Sequence, residues 1–301
     1  ALKNLEWLRQ EHGGDSFRLV VGDVRDYALL NRVVREADII VHLASQVAVT
    51  NSVTDPRQDF EINALGTFNM LEAARLSDKL PIILYASTNK VYGGMEETGV
   101  SEVSMRYQYT DLPDGIPETM PLDFHSPYGC SKGAADQYVL DYTRIYGLRT
   151  VTFRQSCIYG YRQFGIEDQG WVAWFTIQAV LDRPISIYGD GKQVRDMLFV
   201  DDLVEAYQMA IEAIETTSGK IYNLGGGPAN KMCLHDLIHT LEGLTNRKLQ
   251  YAYDNWRPGD QRIYVSDIRK AECDLGWRPE VSVEDGIRRL YDWVLDSLDL
   301  F

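Results

Sequence analysis

The chain has little that would cross-link it, anchor it in a bilayer or hold it against a polyanion. Its four cysteines (Cys130, Cys157, Cys233 and Cys273) are scattered over 301 residues, with no Cys-x-x-Cys among them. That distribution speaks against a disulfide framework and a zinc site; no metal is expected, and a reduced, cytoplasmic protein is. No apolar run approaches the roughly 20 residues that span a bilayer, and no stretch reads as a secretory leader. Basic residues are in deficit, 30 Lys and Arg against 44 Asp and Glu, for a net charge of -14. Neither nucleic acid nor an anionic membrane is therefore expected as a partner, although a few local cations can still bind phosphate. Repeats and low-complexity tracts are absent. What remains is an ordinary globular composition, 45% hydrophobic and 25% charged, long enough for one large domain or two closely joined ones.

The hydrophobic pattern alternates between strand and helix. Leu2, Leu5, Trp7 and Leu8 fit an amphipathic helix over Ala1–Gln10. Phe17–Val21 reads as a short strand, and Asp26 is placed to cap a helix carrying Leu29, Leu30, Val33 and Val34. Asp38–Ala44 is a continuous apolar run of the kind buried on both faces of a parallel sheet. Asp55-Pro56 opens a helix with Phe60, Ile62, Leu65, Phe68, Met70, Leu71 and Ala74, and Leu80–Ala86 is another buried strand. A long Glu-, Ser-, Gly- and Pro-rich loop over 94–124 follows, and loops of this length tend to be binding lids.

Next comes Ser126-Pro127-Tyr128-Gly129-Cys130-Ser131-Lys132. Ser126 can cap a helix and Pro127 suits its first position; Gly147 ends it. Tyr128 and Lys132 fall one turn apart on one face, where an ammonium favours a phenolate. By itself Tyr-x-x-x-Lys also occurs on many surface helices. Leu148–Arg154 is again a strand. The first half thus has the pattern of an α/β doubly wound parallel sheet, whose ligands bind at the carboxyl ends of the strands. Thr88, Ser45 and Ser156 follow strand ends and should face one crevice. The second half is more mixed, with strands at Ile185–Tyr188 and Lys220–Leu224 and helices over Gly165–Leu181, Cys233–Leu244, Ser266–Leu275 and Val283–Leu298. Gly225-Gly226-Gly227 marks a strand exit rather than a phosphate loop.

Thr88-x-x-Val91-Tyr92-Gly93, Ser126-Pro127-Tyr128-x-x-Ser131-Lys132 and Arg154-x-x-x-x-Tyr159-Gly160 occur in one order along this chain. Together they resemble the extended short-chain dehydrogenase/reductase family, the NAD-dependent nucleotide-sugar epimerases and dehydratases. Gly22-Asp23-Val24-x-Asp26, His42-Leu43-Ala44-Ser45, Asp190-Gly191-x-Gln193-x-Arg195-Asp196 and Arg257-Pro258-Gly259-Asp260 extend the resemblance over essentially the whole chain. It implies a Rossmann-like NAD-binding part at 1–155, completed by 199–226, with a nucleotide-sugar-binding region at 156–198 and 227–301. It makes Tyr128 the general acid/base, Lys132 the cation that lowers its pKa and holds the nicotinamide ribose, and Thr88 the partner of the reacting hydroxyl. Asp23, Val24, Leu43, Ala44, Ser45, Asn63 and Ser156 become the cofactor side, Asn63 as the support of its loop. Family members commonly pair through two helices, here those with Phe60–Ala74 and Tyr128–Tyr146, so a homodimer is expected.

Within the family, 4,6-dehydratases carry Asp-Glu directly after the catalytic Thr to eliminate water. Here Asn89 and Lys90 stand there and cannot serve as that pair. The run Arg154–Phe164, continuing as Asp168-Gln169-Gly170-Trp171-Val172-x-Trp174-Phe175, is similar to the CDP-paratose (CDP-tyvelose) 2-epimerase branch. Cys157 stands where 4-epimerases usually have Asn. The resemblance therefore implies epimerisation of a nucleotide-diphosphate sugar, with Asn89, Cys157, Arg162, Gln169, Tyr188, Arg195 and Arg257 on the substrate side. Trp174 and Phe175 also read as a packing stripe. A UDP-sugar 4-epimerase and a non-catalytic nucleotide-sugar-binding protein remain as alternatives. The family's Gly-x-x-Gly-x-x-Gly loop, which holds the dinucleotide pyrophosphate on a helix N-terminus, does not occur. Its strand, loop and helix are expected to precede Ala1 by roughly 35–45 residues, about the size of a βαβ unit.

Overall fold

The first half folds as α1 (Leu2–Glu11), α2 (Tyr27–Val34), β1 (Ile39–His42), α3 (Val49–Thr54), α4 (Pro56–Phe60), a π-helical turn (Glu61–Leu65), α5 (Gly66–Arg75) and β2 (Ile82–Thr88). A 3-10 turn (Asn89–Tyr92) leads to the strands β3 (Val100–Val103) and β4 (Arg106–Tyr109), then α6 (Ser126–Tyr146) and β5 (Arg149–Gln155). The second half adds β6 (Cys157–Tyr159), α7 (Trp171–Val180), β7 (Ile185–Tyr188), β8 (Val194–Phe199), α8 (Val200–Glu212), α9 (Ile214–Thr217) and β9 (Lys220–Leu224). It closes with β10 (Lys231–Cys233), α10 (Leu234–Thr245), β11 (Tyr251–Asp254), β12 (Ile263–Tyr264), α11 (Arg269–Leu275) and α12 (Val283–Asp296). The computed structural model describes residues 2–14, 16–257 and 259–301; Ala1 of the first helix and Pro258 of the Arg257–Asp260 segment lie outside the described residues.

One parallel sheet in the order β1-β2-β5-β9 organises the molecule. Its strands present side chains alternately to two helical layers. On one face Ile83 and Tyr85 of β2 pack with Met70, Leu71 and Ala74 of α5 and Val139 and Tyr142 of α6. On the other, Leu84, Val151, Phe153 and Tyr222 pack with Ala206, Tyr207 and Ala210 of α8 and with Trp277. The remaining strands form smaller sheets, β10-β8-β12 with β6 on β8, and β11-β7. They share a core with α7, α10 and α12, where Phe199, Leu237, Ile287 and Leu290 are fully or nearly fully buried.

Three expectations are corrected. Phe17–Val21 is not a strand: it has no ladder partner among the described residues, and an extended segment alone cannot satisfy its own backbone donors and acceptors. The run Asp38–Ala44 is a strand only over Ile39–His42 and is not buried on both faces, since it forms the sheet edge with Ile39 45% and Val41 43% exposed. The loop over 94–124 carries the antiparallel hairpin β3–β4.

The helix α6 is laid down as its residues require. Ser126 (φ 74°) sits at the helix entrance, and its Oγ accepts from Gly129 N at 3.2 Å, with Pro127 in the first turn. Gly147 (φ 72°) ends the helix with its N–H on Thr143 O at 3.0 Å. At Gly133 a Cβ would stand 2.2 Å from the Phe124 ring, so glycine lets the incoming loop lie against the helix. Arg154 of β5 then clamps α6 to the sheet, Nε and Nη2 bonding the two oxygens of Asp136 at 3.0 and 2.9 Å. Both side chains are almost wholly buried, and the pair raises the pKa of Arg154 against the opposing effect of burial. Arg154→Ala would leave Asp136 charged and buried without its partner. We expect a loss of about 3–5 kcal/mol, read as a lower urea midpoint at unchanged slope.

Candidate active site

At the carboxyl ends of β2 and β5, where a doubly wound sheet binds its ligands, the chain leaves a cavity of about 330 Å³, within the range of small-molecule sites. Thr88, the last residue of β2, and Tyr128, in the first turn of α6, share its inner wall with Asn89 and Lys90. Ser156 and Cys157 line it just beyond β5. Gln169, Trp171 and Phe175 approach from the 165–175 segment, and Tyr188, Arg195 and Arg257 stand at the far end. The structure thus gathers Thr88, Asn89, Tyr128, Ser156, Cys157, Gln169, Tyr188, Arg195 and Arg257 around one space.

Tyr128 is buried, and burial pushes its pKa up to about 12; a hydrogen bond from Thr88 works the other way and the charge of Asp59 adds to the rise. Lys132 Nζ turns to the strand end, donating to Ala86 O at 2.5 Å and lying 4.5 Å from the Tyr85 ring centroid. Burial brings the Lys132 pKa down to about 7, with Asp136 and Asp59 opposing. An ammonium carries three donors and Ala86 O uses one, so Lys132 fits a ribose with two vicinal hydroxyls.

Of the residues expected on the cofactor side, Ser156 lines this cavity, whereas Asp23, Val24, Leu43, Ala44, Ser45 and Asn63 lie outside it. Asn63 lies in the π-helical turn, fully buried. Its Oδ1 accepts from Gln46 N and Ser45 Oγ, both at 2.8 Å, and its Nδ2 donates to Gln46 O at 3.0 Å. It thereby fixes the loop that carries Leu43, Ala44 and Ser45 beyond β1. Leu43 is 59% exposed there, an apolar surface suited to a flat heterocycle. Ser45 turns its hydroxyl to Asn63 and does not join the wall formed by Thr88 and Ser156. Ser156 Oγ donates to the buried Asp196. Asp23 pairs with Arg25 at 2.7 Å, and the hydrogen bond from Arg25 lowers its pKa to about 2. Val24 packs so closely on Gly66 that a Cβ there would come within 2.6 Å of it.

The far end is built from cations already holding carboxylates. Arg195 Nη2 donates to Asp260 Oδ1 at 2.6 Å and to Gln261 O at 2.8 Å. Arg257 pairs with Asp168 at 3.0 Å and lies 3.9 Å over the ring of Tyr188. Two arginines whose partners are exchangeable carboxylates can grip a diphosphate in bidentate fashion. Arg162 takes no part: with φ 61° it stacks 4.1 Å over Trp7 of α1, away from the cavity. Cys157 Sγ accepts from Trp171 Nε1 at 3.1 Å, and burial pushes the thiol up to about 12, so it is a small neutral wall and no nucleophile.

Sequence reasoning missed Lys90, Asp260 and Gln261 as neighbours. Lys90 Nζ donates to Gly259 O at 3.1 Å, and burial together with Arg195 lowers its pKa to about 8 while Asp260 opposes. Asn89 Nδ2 donates to Gln261 Oε1 at 3.2 Å. The turn after Thr88 is thus stitched to the segment after Arg257, 169 residues on. The signal available was that both segments stood in the motif series.

This fold and this placing of Thr88, Tyr128 and Lys132 are those of an extended short-chain dehydrogenase/reductase. The sequence model of the family described as GDP-mannose 4,6 dehydratase matches residues 1–290. The chain belongs to that family. It is 44% identical over 300 residues to a CDP-paratose 2-epimerase of Salmonella typhi, covering 97% of this chain and 88% of that protein. Among solved structures it resembles a UDP-glucose 4-epimerase of Thermotoga maritima with UDP-glucose, with a TM-score of 0.82, 28% identity, and coverage of 95% of this chain and 86% of that one. It also resembles a dTDP-glucose 4,6-dehydratase of Streptomyces venezuelae with NAD and TYD bound, with a TM-score of 0.81, 27% identity, and coverage of 100% and 85%.

Proposed function

We propose that this chain is an NAD-dependent epimerase that inverts C2 of a CDP-linked sugar, interconverting CDP-paratose and CDP-tyvelose. The observation that carries the reading is the cavity wall itself. Thr88 and Tyr128 stand together on it for proton transfer beside a carbinol, with Lys132 one helical turn beyond Tyr128, while Asn89 and Lys90 replace the acid and base that elimination requires. The 44% identity to a CDP-paratose 2-epimerase supports the choice of C2 and of CDP.

Bound NAD supplies a hydride acceptor that later returns the hydride, and its positive nicotinamide adds to the charge that stabilises a phenolate. Lys132 and Tyr128 would hold its nicotinamide ribose, Leu43, Ala44, Ser45 and Ser156 its flank, and Asp23 and Val24 its adenine end. Tyr128 Oη takes the proton of the C2 hydroxyl as that carbon loses its hydride, and Thr88 Oγ1 hydrogen-bonds the same oxygen. Arg195 and Arg257 keep the diphosphate while the keto-sugar turns, and Tyr188 borders the nucleoside end. The small, neutral Cys157 leaves the ring room to rotate. Tyr128 then returns the proton, and the cycle ends with no net redox change. The NAD-binding unit is assigned to 1–155 with 199–226, and the sugar-nucleotide unit to 156–198 and 227–301. Arg162 is left out of the site by its stacking on Trp7.

We also assign the protein to the cytoplasm, on its four free cysteines, and to a homodimer. Phe60 (56% exposed), Phe68, Tyr138 and Ile145 (65% exposed) make an apolar surface on α4, α5 and α6 that a second copy can cover. Light scattering should report twice the chain mass, and Ile145→Glu with Phe60→Glu should halve it; a monomer at micromolar concentration would refute the assignment. For the chemistry, a panel of CDP- and UDP-sugars followed by NMR should show inversion at C2 of CDP-paratose. Inversion at C4 of a UDP-sugar would instead select the other epimerase reading. Tyr128→Phe should cut turnover by about 10²–10⁴-fold while leaving the affinity for the sugar nucleotide within a few-fold. An unchanged rate would sink the acid/base assignment.

A further inference from the structure

Two residues past Thr88, the cavity wall carries a cation for which the mechanism has found no use. Lys90 stands in the 3-10 turn, where its backbone N–H donates to Thr88 Oγ1 at 3.2 Å and the next two residues, Val91 and Tyr92, are buried. Its main chain is therefore fixed beside the reacting end of the cavity. Among the described residues its Nζ has one hydrogen-bond acceptor, Gly259 O at 3.1 Å. Asp260 Oδ1 lies 4.0 Å away, beyond bonding distance, and already accepts from Arg195 Nη2 at 2.6 Å and Gln261 N at 3.0 Å. An ammonium carries three donors. Two of them thus remain unspent on a side chain that lines the cavity and is 20% exposed.

We propose that Lys90 is a phosphate-binding cation whose ammonium, together with Arg195, holds the sugar-linked phosphate of the nucleotide diphosphate. The proposal rests on the reading of this cavity as a sugar-nucleotide site. Position carries it. Thr88 and Tyr128 hold the reacting sugar at the inner wall, and Arg257 lies over Tyr188 at the nucleoside end. Lys90 is joined to Thr88 through its backbone N–H and neighbours Arg195 across Asp260, so it stands between the two. In a sugar nucleotide that place belongs to the phosphate next to the sugar. C2 is bonded to C1, whose oxygen carries that phosphate, so Lys90 holds the fixed end of the substrate while the keto-sugar turns.

Charge points the same way. Lys90 and Arg195 share one carboxylate, so two cations face a single anion and the wall between them keeps an excess positive charge. Burial and the charge of Arg195 lower the Lys90 pKa to about 8, which leaves it mainly an ammonium at neutral pH. A phosphate set against both cations relieves their repulsion. The other cations near the reacting end are engaged elsewhere: Arg257 with Asp168, Arg154 with Asp136, and Lys132 with Ala86 O. A purely structural tie between the turn and the 257–261 segment would need no charge, since Asn89 Nδ2 and Gln261 Oε1 make the same connection with neutral groups.

Calorimetric titration of the full chain with CDP, CMP and CDP-paratose reads this contact without turnover. CDP carries the second phosphate and CMP lacks it. Wild type should bind CDP more tightly than CMP. Lys90→Met should weaken CDP by roughly 10–100-fold, the range of a hydrogen bond to a charged group, while CMP stays within a few-fold of wild type. Lys90→Arg, which keeps the charge, should recover most of the loss. Should Lys90→Met fail to fold, Lys90→Gln takes its place. Equal loss for CDP and CMP, no loss for either, or a wild type that binds the two equally overturns the proposal. Loss of fold in both neutral variants overturns it too, because Lys90 would then be a structural tie only. A loss confined to CDP-paratose, with CDP unchanged, would put the ammonium on the sugar and also overturns it. A selective loss of CDP affinity in a protein that epimerises no CDP-sugar supports this inference and sinks the functional reading instead.

Discussion

The structure depends on the docking of one helix across two strand ends by polar and charged groups shielded from water. Three contacts hold α6 in place: Lys132 on Ala86 O, the Arg154–Asp136 pair on β5, and Ser131 on Asp59. Ser87 Oγ adds a fourth, donating to Asp136 at 2.7 Å. The Arg154–Asp136 pair is a charge-assisted bond, and in every one of these contacts a buried polar group left unpaired would be expensive. Together they leave α6 little freedom to slide or rotate. That rigidity brings Tyr128 up to Thr88, two residues that start 40 positions apart. Apolar packing of Val139 and Tyr142 against β2 and α5 secures the far end of the helix, but it is non-directional and does not set the register of the first turn.

A second constraint operates at the other end of the cavity. Arg195 and Arg257 are each held by a carboxylate on the cavity rim, and the 257–261 segment is tied to the turn after Thr88 through Lys90–Gly259 and Asn89–Gln261. Residues that rule out elimination by their chemistry, Asn89 and Lys90, serve here as the mechanical link between the two ends.

Much of this was legible in the residues. The helix from Ser126 to Gly147 was marked by its cap, its proline and its glycine, so the one-turn separation of Tyr128 and Lys132 followed from helical geometry. Asn63 was read as the support of the cofactor-side loop, and it bonds Ser45 and Gln46 of that loop. Strand order pointed to one crevice for Thr88, Ser45 and Ser156; Thr88 and Ser156 line the cavity and Ser45 does not, while Arg195 and Arg257, read from the resemblance, stand at its far end. What escaped depends on partners distant in sequence. A strand at Phe17–Val21 requires a neighbour to pair with, which local pattern cannot supply. The exposure of Ile39 and Val41 depends on which strand lies beside them. The aim of the Lys132 ammonium is set by Ala86 O, which helical spacing does not show. Arg162 was grouped with the site by its position in a motif, whereas Trp7, 155 residues earlier, captures it. Asp59 left no trace in the pattern, since an acidic residue in the first turn of a helix is ordinarily a solvated one.

The central claim is that the inverted carbon gives up its hydrogen as a hydride and receives the same one back on the other face. The direct test uses CDP-paratose deuterated at C2, converted in ordinary water and followed by NMR and mass spectrometry. The account predicts that the tyvelose product keeps its deuterium at C2. Washout of that deuterium to solvent would mean that the carbon loses a proton instead, and would contradict the hydride mechanism assigned to Thr88, Tyr128 and Lys132.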